Sequence, residues 1–251
     1  MAFRNAVLIS VLMLASSLAA EELSVAAAAD LNFALRDIAA AYQQKTGNTI
    51  KVSYGSSGNF FTQIKNGAPF DIFFSADIDF PHQLVAAALV EPGTLYRYAT
   101  GNIVLWVPNQ SKLDLTRGLQ VLLDPAVKKI AIANPKHAPY GRAAEAALKK
   151  SGVYDKVAPK LVLGENISQT SQFVETGNAD IGILALSLAS APTMKSRGRF
   201  VEIPDNLYPA LQQAAVILKS SSHKKTGADF LQFVKSSIAQ EILARYGFKQ
   251  P

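Results

Sequence analysis

Four short stretches of this 251-residue chain set small or polar residues where a strand pattern gives way to a helix pattern. They are Ala28-Ala29-Asp30-Leu31, Gly55-Ser56-Ser57-Gly58-Asn59, Ala138-Pro139-Tyr140-Gly141 and Gly164-Glu165-Asn166-Ile167-Ser168. The first turn of a helix leaves backbone N–H groups without intrahelical partners, at the positive end of the helix dipole. Several such turns brought to one point make an oxyanion site from neutral donors, without Lys or Arg. Gly55 and Gly58 permit close backbone approach, and Ser56 and Ser57 add hydroxyl donors. Taken singly, each stretch is also what an ordinary α/β protein places at a helix cap. Spacing alone does not show that the four converge.

Other chemistries are poorly supplied. The chain has no Cys, which excludes disulfides, thiolate catalysis and Cys-ligated metals. Its three imidazoles, His82, His137 and His223, stand 55 and 86 residues apart, too far for a helical metal-binding pair. Ser57 lies in GSSGN rather than in the GxSxG elbow of α/β hydrolases. His137 is the only base near one of the four turns, and Asp77 and Asp79 fit a helix start better than an acid–base pair. An enzyme is therefore not expected. The formal charge of +6, from 25 Lys+Arg and 19 Asp+Glu, suits an anionic partner. The basic residues are scattered, which argues against nucleic acid.

The elements that must position the turns alternate. Strand patterns fall at 23–28, 50–54, 71–75, 103–107, 130–133, 161–163, 180–184 and 214–218. Helical patterns follow most of them, with Gly47, Gly67, Gly152 and Gly177 as stops and Asp30 as the expected N-cap of the first. Such β–α alternation predicts an α/β fold with largely parallel sheets covered by helices. Residues 1–20 carry one cation, Arg4, an apolar run and then small residues, the pattern of a secretory signal peptide cut after Ala19 or Ala20. The run is too short for a membrane anchor. Without Arg4 the exported chain has 24 basic and 19 acidic residues, a charge of +5.

The stretches VAAAADLNFALRDIA, GSSGNFFTQIKNGAPFDIFFSAD, IAIANPKHAPYGRAAEAAL, GNADIGILALS and ILARYGF occur in that order. On them the chain from about residue 23 to 251 resembles the periplasmic molybdate-binding proteins of molybdate ABC transporters, with NGAPFDIFFSAD the most specific segment. The resemblance implies a two-lobed periplasmic binding protein fold, each lobe a mostly parallel sheet flanked by helices, with the ligand in the inter-lobe cleft. Residues 21–103 with 216–251 would form one lobe and 104–215 the other, the chain crossing near 100–107 and 212–218. It further implies a periplasmic monomer that takes molybdate or tungstate, needs no cofactor and hands its cargo to a membrane permease. Carried over by position, the oxyanion-binding residues are Asp30, Ser57, Tyr140 and Ile167, with Ala29 and Ser56 as weaker candidates. They would hold the oxygens of the anion, with no direct bond to its metal. Ala185 stands where some members have a tyrosine.

Asp30 departs from the family's small hydroxyl or amide residue, and a carboxylate beside a dianion is repulsive. Three readings are open: it caps its own helix, it is protonated and donates to the anion, or the cargo is another anion such as phosphate, sulfate or an organic acid. The effector domain of a transcription regulator shares this fold, but the signal pattern and the lack of a helix-turn-helix segment argue against it.

Overall fold

The structure, a computed structural model, describes residues 20–251. The expected signal segment therefore lies outside the described residues, except for Ala20. From the N-terminus run β1 (Glu22–Ala28), α1 (Ala34–Thr46), β2 (Thr49–Gly55), α2 (Ser57–Lys65), β3 (Ile72–Ser75), α3 (Asp79–Ala86) and β4 (Tyr96–Gly101). The chain then crosses to β5 (Ile103–Pro108), β6 (Ile130–Ala133), α4 (Pro139–Lys150), α5 (Tyr154–Val157), β7 (Leu161–Gly164) and α6 (Ile167–Glu175). β8 (Ile181–Ala185), α7 (Leu186–Ala189), α8 (Pro192–Arg197) and β9 (Gly198–Glu202) complete that half, and β10 (Leu211–Ile217), α9 (Lys224–Val234) and α10 (Ser237–Arg245) return to the first. Among the described residues no helix is long and apolar enough to cross a membrane.

Two five-stranded sheets result, ordered β2-β1-β3-β10-β4 and β7-β6-β8-β5-β9. In each, only the fourth strand, β10 or β5, runs antiparallel to its neighbours, so the sheets are mostly parallel as expected. β1 is apolar on both faces because helices cover both, the usual state of an inner parallel strand. α1 buries Ala34, Leu35, Ile38 and Tyr42 along one stripe and ends at Gly47, whose φ of 80° is the left-handed C-cap that glycine adopts without strain.

Register brings the turns together. β1 and β2 pair in parallel up to Ala28 opposite Gly55, so the turn after β1 and the start of α2 emerge side by side. β6 and β7 pair up to Ala133 opposite Gly164, which does the same for the turns leading to α4 and α6. In both sheets the strand order reverses beside these turns, between β1 and β3 and between β6 and β8, where open α/β sheets open a crevice at the carboxyl ends of their strands.

Three features depart from the sequence reading. β4 was not expected, since its YRYATG sequence mixes polar residues into the alternation, and neither was β9, an edge strand reading GRFVE. The second crossing also lies earlier than 212–218. β10 pairs from its first residue, Leu211 opposite Gly101, because a chain that leaves along β4 must return antiparallel to it. Residues 211–215 thus belong with the first sheet, and the chain crosses before the strand, while Gly101-Asn102-Ile103 links β4 of the first sheet to β5 of the second.

Candidate functional site

Residues of all four turns, joined by Ala76, line one small cavity between the two sheets. No Lys, Arg or His lines it. Asp30, Ser57, Tyr140, Ile167, Ala29 and Ser56 all line it.

Helix starts supply the donors. Ser57 and Ile167 are the first residues of α2 and α6, and Tyr140 is the second of α4, after Pro139, which has no N–H to give. Their backbone N–H groups lie in the first turn, where no intrahelical acceptor exists. Asn166 caps α6 by accepting from Gln169 N–H, so its side chain serves the helix. Ser57 is fully buried, and its Oγ accepts from Ala76 N–H at 2.9 Å. That bond fixes the hydroxyl oxygen and leaves its proton to donate.

Ser56 is placed differently. Its Oγ accepts from Asn59 N–H as the N-cap of α2 and lies 3.0 Å from His137 Nδ1. His137 Nε2 in turn stands 3.5 Å from Glu165, and His137 O accepts from Gly58 N–H at 2.9 Å. This Ser–His–Glu chain resembles a catalytic relay, but the serine oxygen is already engaged as a helix cap. Its effect is to clasp α2 of one lobe to the turns of the other. His137, the base the sequence places near the third turn, is thus an inter-lobe contact.

Asp30 does not cap a helix. It lies in a short 3₁₀ turn, Ala29–Leu31, whose N-cap Ala28 makes no side-chain bond. The Asp30 side chain turns inward, and Oδ2 accepts from Tyr140 Oη–H at 3.0 Å and Gln213 Nε2–H at 2.7 Å. Tyr98 donates to Gln213 Oε1 at 2.6 Å, which orients that amide. Oδ1 is buried without a partner; the N–H groups of Asp30 and Leu31 ease the carboxylate's charge but form no regular hydrogen bond with this oxygen. Burial pushes the Asp30 pKa up to about 6, against the pull of the bonds from Gln213 and Tyr140. Burial, and then the Asp30 charge, hold the Tyr140 phenol far above its ordinary value, so it stays a donor. Its hydroxyl is thereby committed to Asp30. Ala185 is buried at the end of β8 and does not line the cavity.

Further bonds join the lobes around the cavity. Ser168 Oγ donates to Ala29 O at 3.0 Å, Ser187 Oγ donates to Asp30 O at 2.8 Å, and Arg142 pairs with Asp77. Sequence reasoning missed Ala76, Gln213 and Tyr98. Gln213 left one signal, the Gln212-Gln213 pair at the head of an apolar run in β10, of which Gln213 is fully buried. Ala76 left none, because its contribution is a backbone N–H.

Two sheets flanked by helices, linked by two crossings and closed over one small cavity, define a two-lobed solute-binding protein. The family model described as bacterial extracellular solute-binding protein matches residues 23–249, and the chain belongs to that family. It is 39% identical to the molybdate-binding protein ModA of Rhodobacter capsulatus over 95% of this chain and 92% of that one. It is 37% identical to ModA of Azotobacter vinelandii, over 94% and 93% respectively. The solved periplasmic molybdate-binding protein of Azotobacter vinelandii superposes with a TM-score of 0.87 at 33% identity, covering 91% of this chain and 99% of that structure.

Proposed function

We propose that this chain is the periplasmic substrate-binding component of a molybdate ABC importer. The carrying observation is the convergence of N–H and hydroxyl donors from both lobes on one small cavity with no cation in its wall. Relatives 39% and 37% identical to it are named for molybdate, and they match nearly its whole length. A closed ring of neutral dipoles neutralises a tetrahedral dianion while rejecting larger anions by size. The donors are Ser57 through its hydroxyl and N–H, and Tyr140 and Ile167 through their N–H groups. Tungstate, of the same shape, is the second cargo.

The mechanism is capture by closure. The open protein admits the anion to one lobe, the donors of the other reach it only when the cleft shuts, and the clasps around His137, Ser168, Ser187 and Arg142 hold it shut. The closed monomer, exported by its signal segment, then docks on the membrane permease. The protein binds and releases its cargo without catalysis, cofactor or nucleic acid. A different cargo is not favoured, because Asp30 is taken up by Tyr140 and Gln213 rather than left as a bare charge. Isothermal titration with molybdate, tungstate, sulfate and phosphate tests the reading. Tight one-to-one binding of the first two is expected, and silence for both would overturn it.

A further inference from the structure

Asp30 is the one acid in the wall of a cavity that otherwise offers only neutral donors. It is 1% exposed, and no cation pairs with it among the described residues. Its two oxygens are unequal. Oδ2 is saturated by Tyr140 Oη–H and Gln213 Nε2–H, whose orientation follows from Tyr98 donating to Gln213 Oε1. Oδ1 is buried with no partner. An ionised carboxylate in that place leaves Oδ1 without a regular hydrogen bond, eased only by the N–H groups of Asp30 and Leu31, beside an incoming dianion, which is costly in a buried site. A neutral carboxyl removes both faults, because a proton on Oδ1 turns the orphan acceptor into one more donor.

We infer that Asp30 enters the closed, oxyanion-loaded site as the neutral acid and donates Oδ1–H to a ligand oxygen, so that each anion captured takes one proton from solvent. The proposal rests on the oxyanion reading of the cavity. The charges balance: Asp30 carboxylate, a dianion and one solvent proton combine, so the closed site holds two negative charges instead of three. No covalent bond to the ligand forms, and its metal is never approached. Among the ionisable groups around Asp30, the Asp77 carboxyl, paired with Arg142, is likewise held above its ordinary value by burial. α4 presents Tyr140 and β4 presents Tyr98, both phenols that stay protonated, and β10 presents an amide. α7 carries no ionisable side chain and gives only Ser187 Oγ, to the Asp30 carbonyl, and α6 has Glu175 at its far end, bonded to Arg197. Arg36 and Asp37 of α1 pair with each other, Lys51 of β2 with Glu22, and Arg142 with Asp77; Tyr54 of β2 has its pKa pushed up to about 12, chiefly by burial.

Burial already lifts the Asp30 pKa from 3.8 to about 6 in the ligand-free closed form. A carboxyl whose pKa burial raises stabilises the folded chain fully below 3.8 and loses that effect as pH rises through about 6. A dianion against Oδ1 moves the upper limit higher still. Affinity then falls about tenfold per pH unit between the free and the loaded pKa, the linkage for one proton.

The test is isothermal titration of the exported chain with sodium molybdate, from about pH 7 to 8.5, in buffers of different ionisation enthalpy. Expected is an uptake of about one proton per molybdate, with the dissociation constant rising about tenfold per pH unit. Asp30→Asn, whose amide donates at every pH, is expected to take up none and to give a flat profile. Binding with no proton uptake in the native chain, or uptake unchanged in Asp30→Asn, overturns this inference alone. Absence of molybdate binding in the native chain overturns the oxyanion reading and this inference with it.

Discussion

Ser57→Ala separates the two bonds that one hydroxyl makes. Ser57 Oγ accepts from Ala76 N–H at 2.9 Å, and its remaining proton is assigned to the ligand. The ligand bond has a charged acceptor and contributes about 1.5–3 kcal/mol, or about 10- to 150-fold in the dissociation constant. The bond to Ala76 acts in the empty protein. Ala76 is 1% exposed, so its N–H is left buried and unpaired in the variant. That costs about 1–3 kcal/mol, a fall in Tm of several degrees for a chain of this size. The two effects read out separately: thermal melting without ligand reports the Ala76 bond, and titration with molybdate reports the ligand bond. Both are expected. If melting falls while affinity stays within about twofold of the native chain, Ser57 only steadies Ala76 and the placement of the second turn in the site is refuted.

Gly58→Ala should impair closure, because a Cβ there meets His137 O at 2.6 Å. Overpacking of about 1–3 kcal/mol is expected to appear as weaker binding and as loss of the ligand-induced contraction in small-angle scattering. A variant that contracts and binds normally would show that the lobes do not meet at Gly58. Arg142→Ala breaks the ion pair with Asp77, but the arginine is 42% exposed, so a loss of about two- to fivefold is expected, mostly in the dissociation rate measured by stopped flow. A much larger loss would place Arg142 in the site itself. Between about 50 and 500 mM NaCl the affinity should change little, since no cation lines the cavity, and a steep salt slope in titrations would point to a missing basic group. Asp71 governs acid stability in the first lobe. Burial raises its pKa, but bonds from Ser221 Oγ, Ser24 N–H and His223 outweigh that and hold it below 3.8. Its stabilisation is therefore present above about 3.8 and lost as pH falls through the lowered value, so acid melting of Asp71→Asn should start from a lower Tm and fall less steeply.

The turns were legible in the sequence because their chemistry is local. A strand ending in Gly, Ser or Ala before a helix start is visible within five residues, whereas Ser57, Tyr140 and Ile167, which line the cavity, were picked out within those turns by the family resemblance. What escaped depends on partners far along the chain. Asp30 looks like an N-cap in any short window; its bonds to Tyr140 and Gln213 span 110 and 183 residues and override the local preference. Ser56 shows the converse: it has the same type as Ser57 and adjoins it, yet capping α2 and meeting His137 occupy the hydroxyl that Ser57 keeps free. The crossing was misplaced for a topological reason, since the antiparallel return of β10 beside β4 is set by pairing and not by composition.

Selectivity between oxyanions follows from what fixes the width of the cavity. With charged side chains on flexible stems, donors would follow a smaller anion inward. Here the donors are backbone N–H groups at helix starts, and their spacing is set by contacts the ligand does not make. Gly58 N–H on His137 O at 2.9 Å, Ser168 Oγ on Ala29 O at 3.0 Å and Ser187 Oγ on Asp30 O at 2.8 Å are already at hydrogen-bond distance, so the lobes cannot approach further. A sulfate, smaller than molybdate, would meet one lobe and leave the donors of the other short of contact, each as a buried unpaired N–H. With two such N–H groups, those of Tyr140 and Ile167, at about 1 kcal/mol or more each, discrimination by roughly thirtyfold or more is expected without any repulsive group. Competition titrations of molybdate-loaded protein with sulfate measure that ratio directly. A sulfate affinity within tenfold of molybdate would mean that the lobes adjust to the ligand, and that these inter-lobe bonds follow closure instead of limiting it.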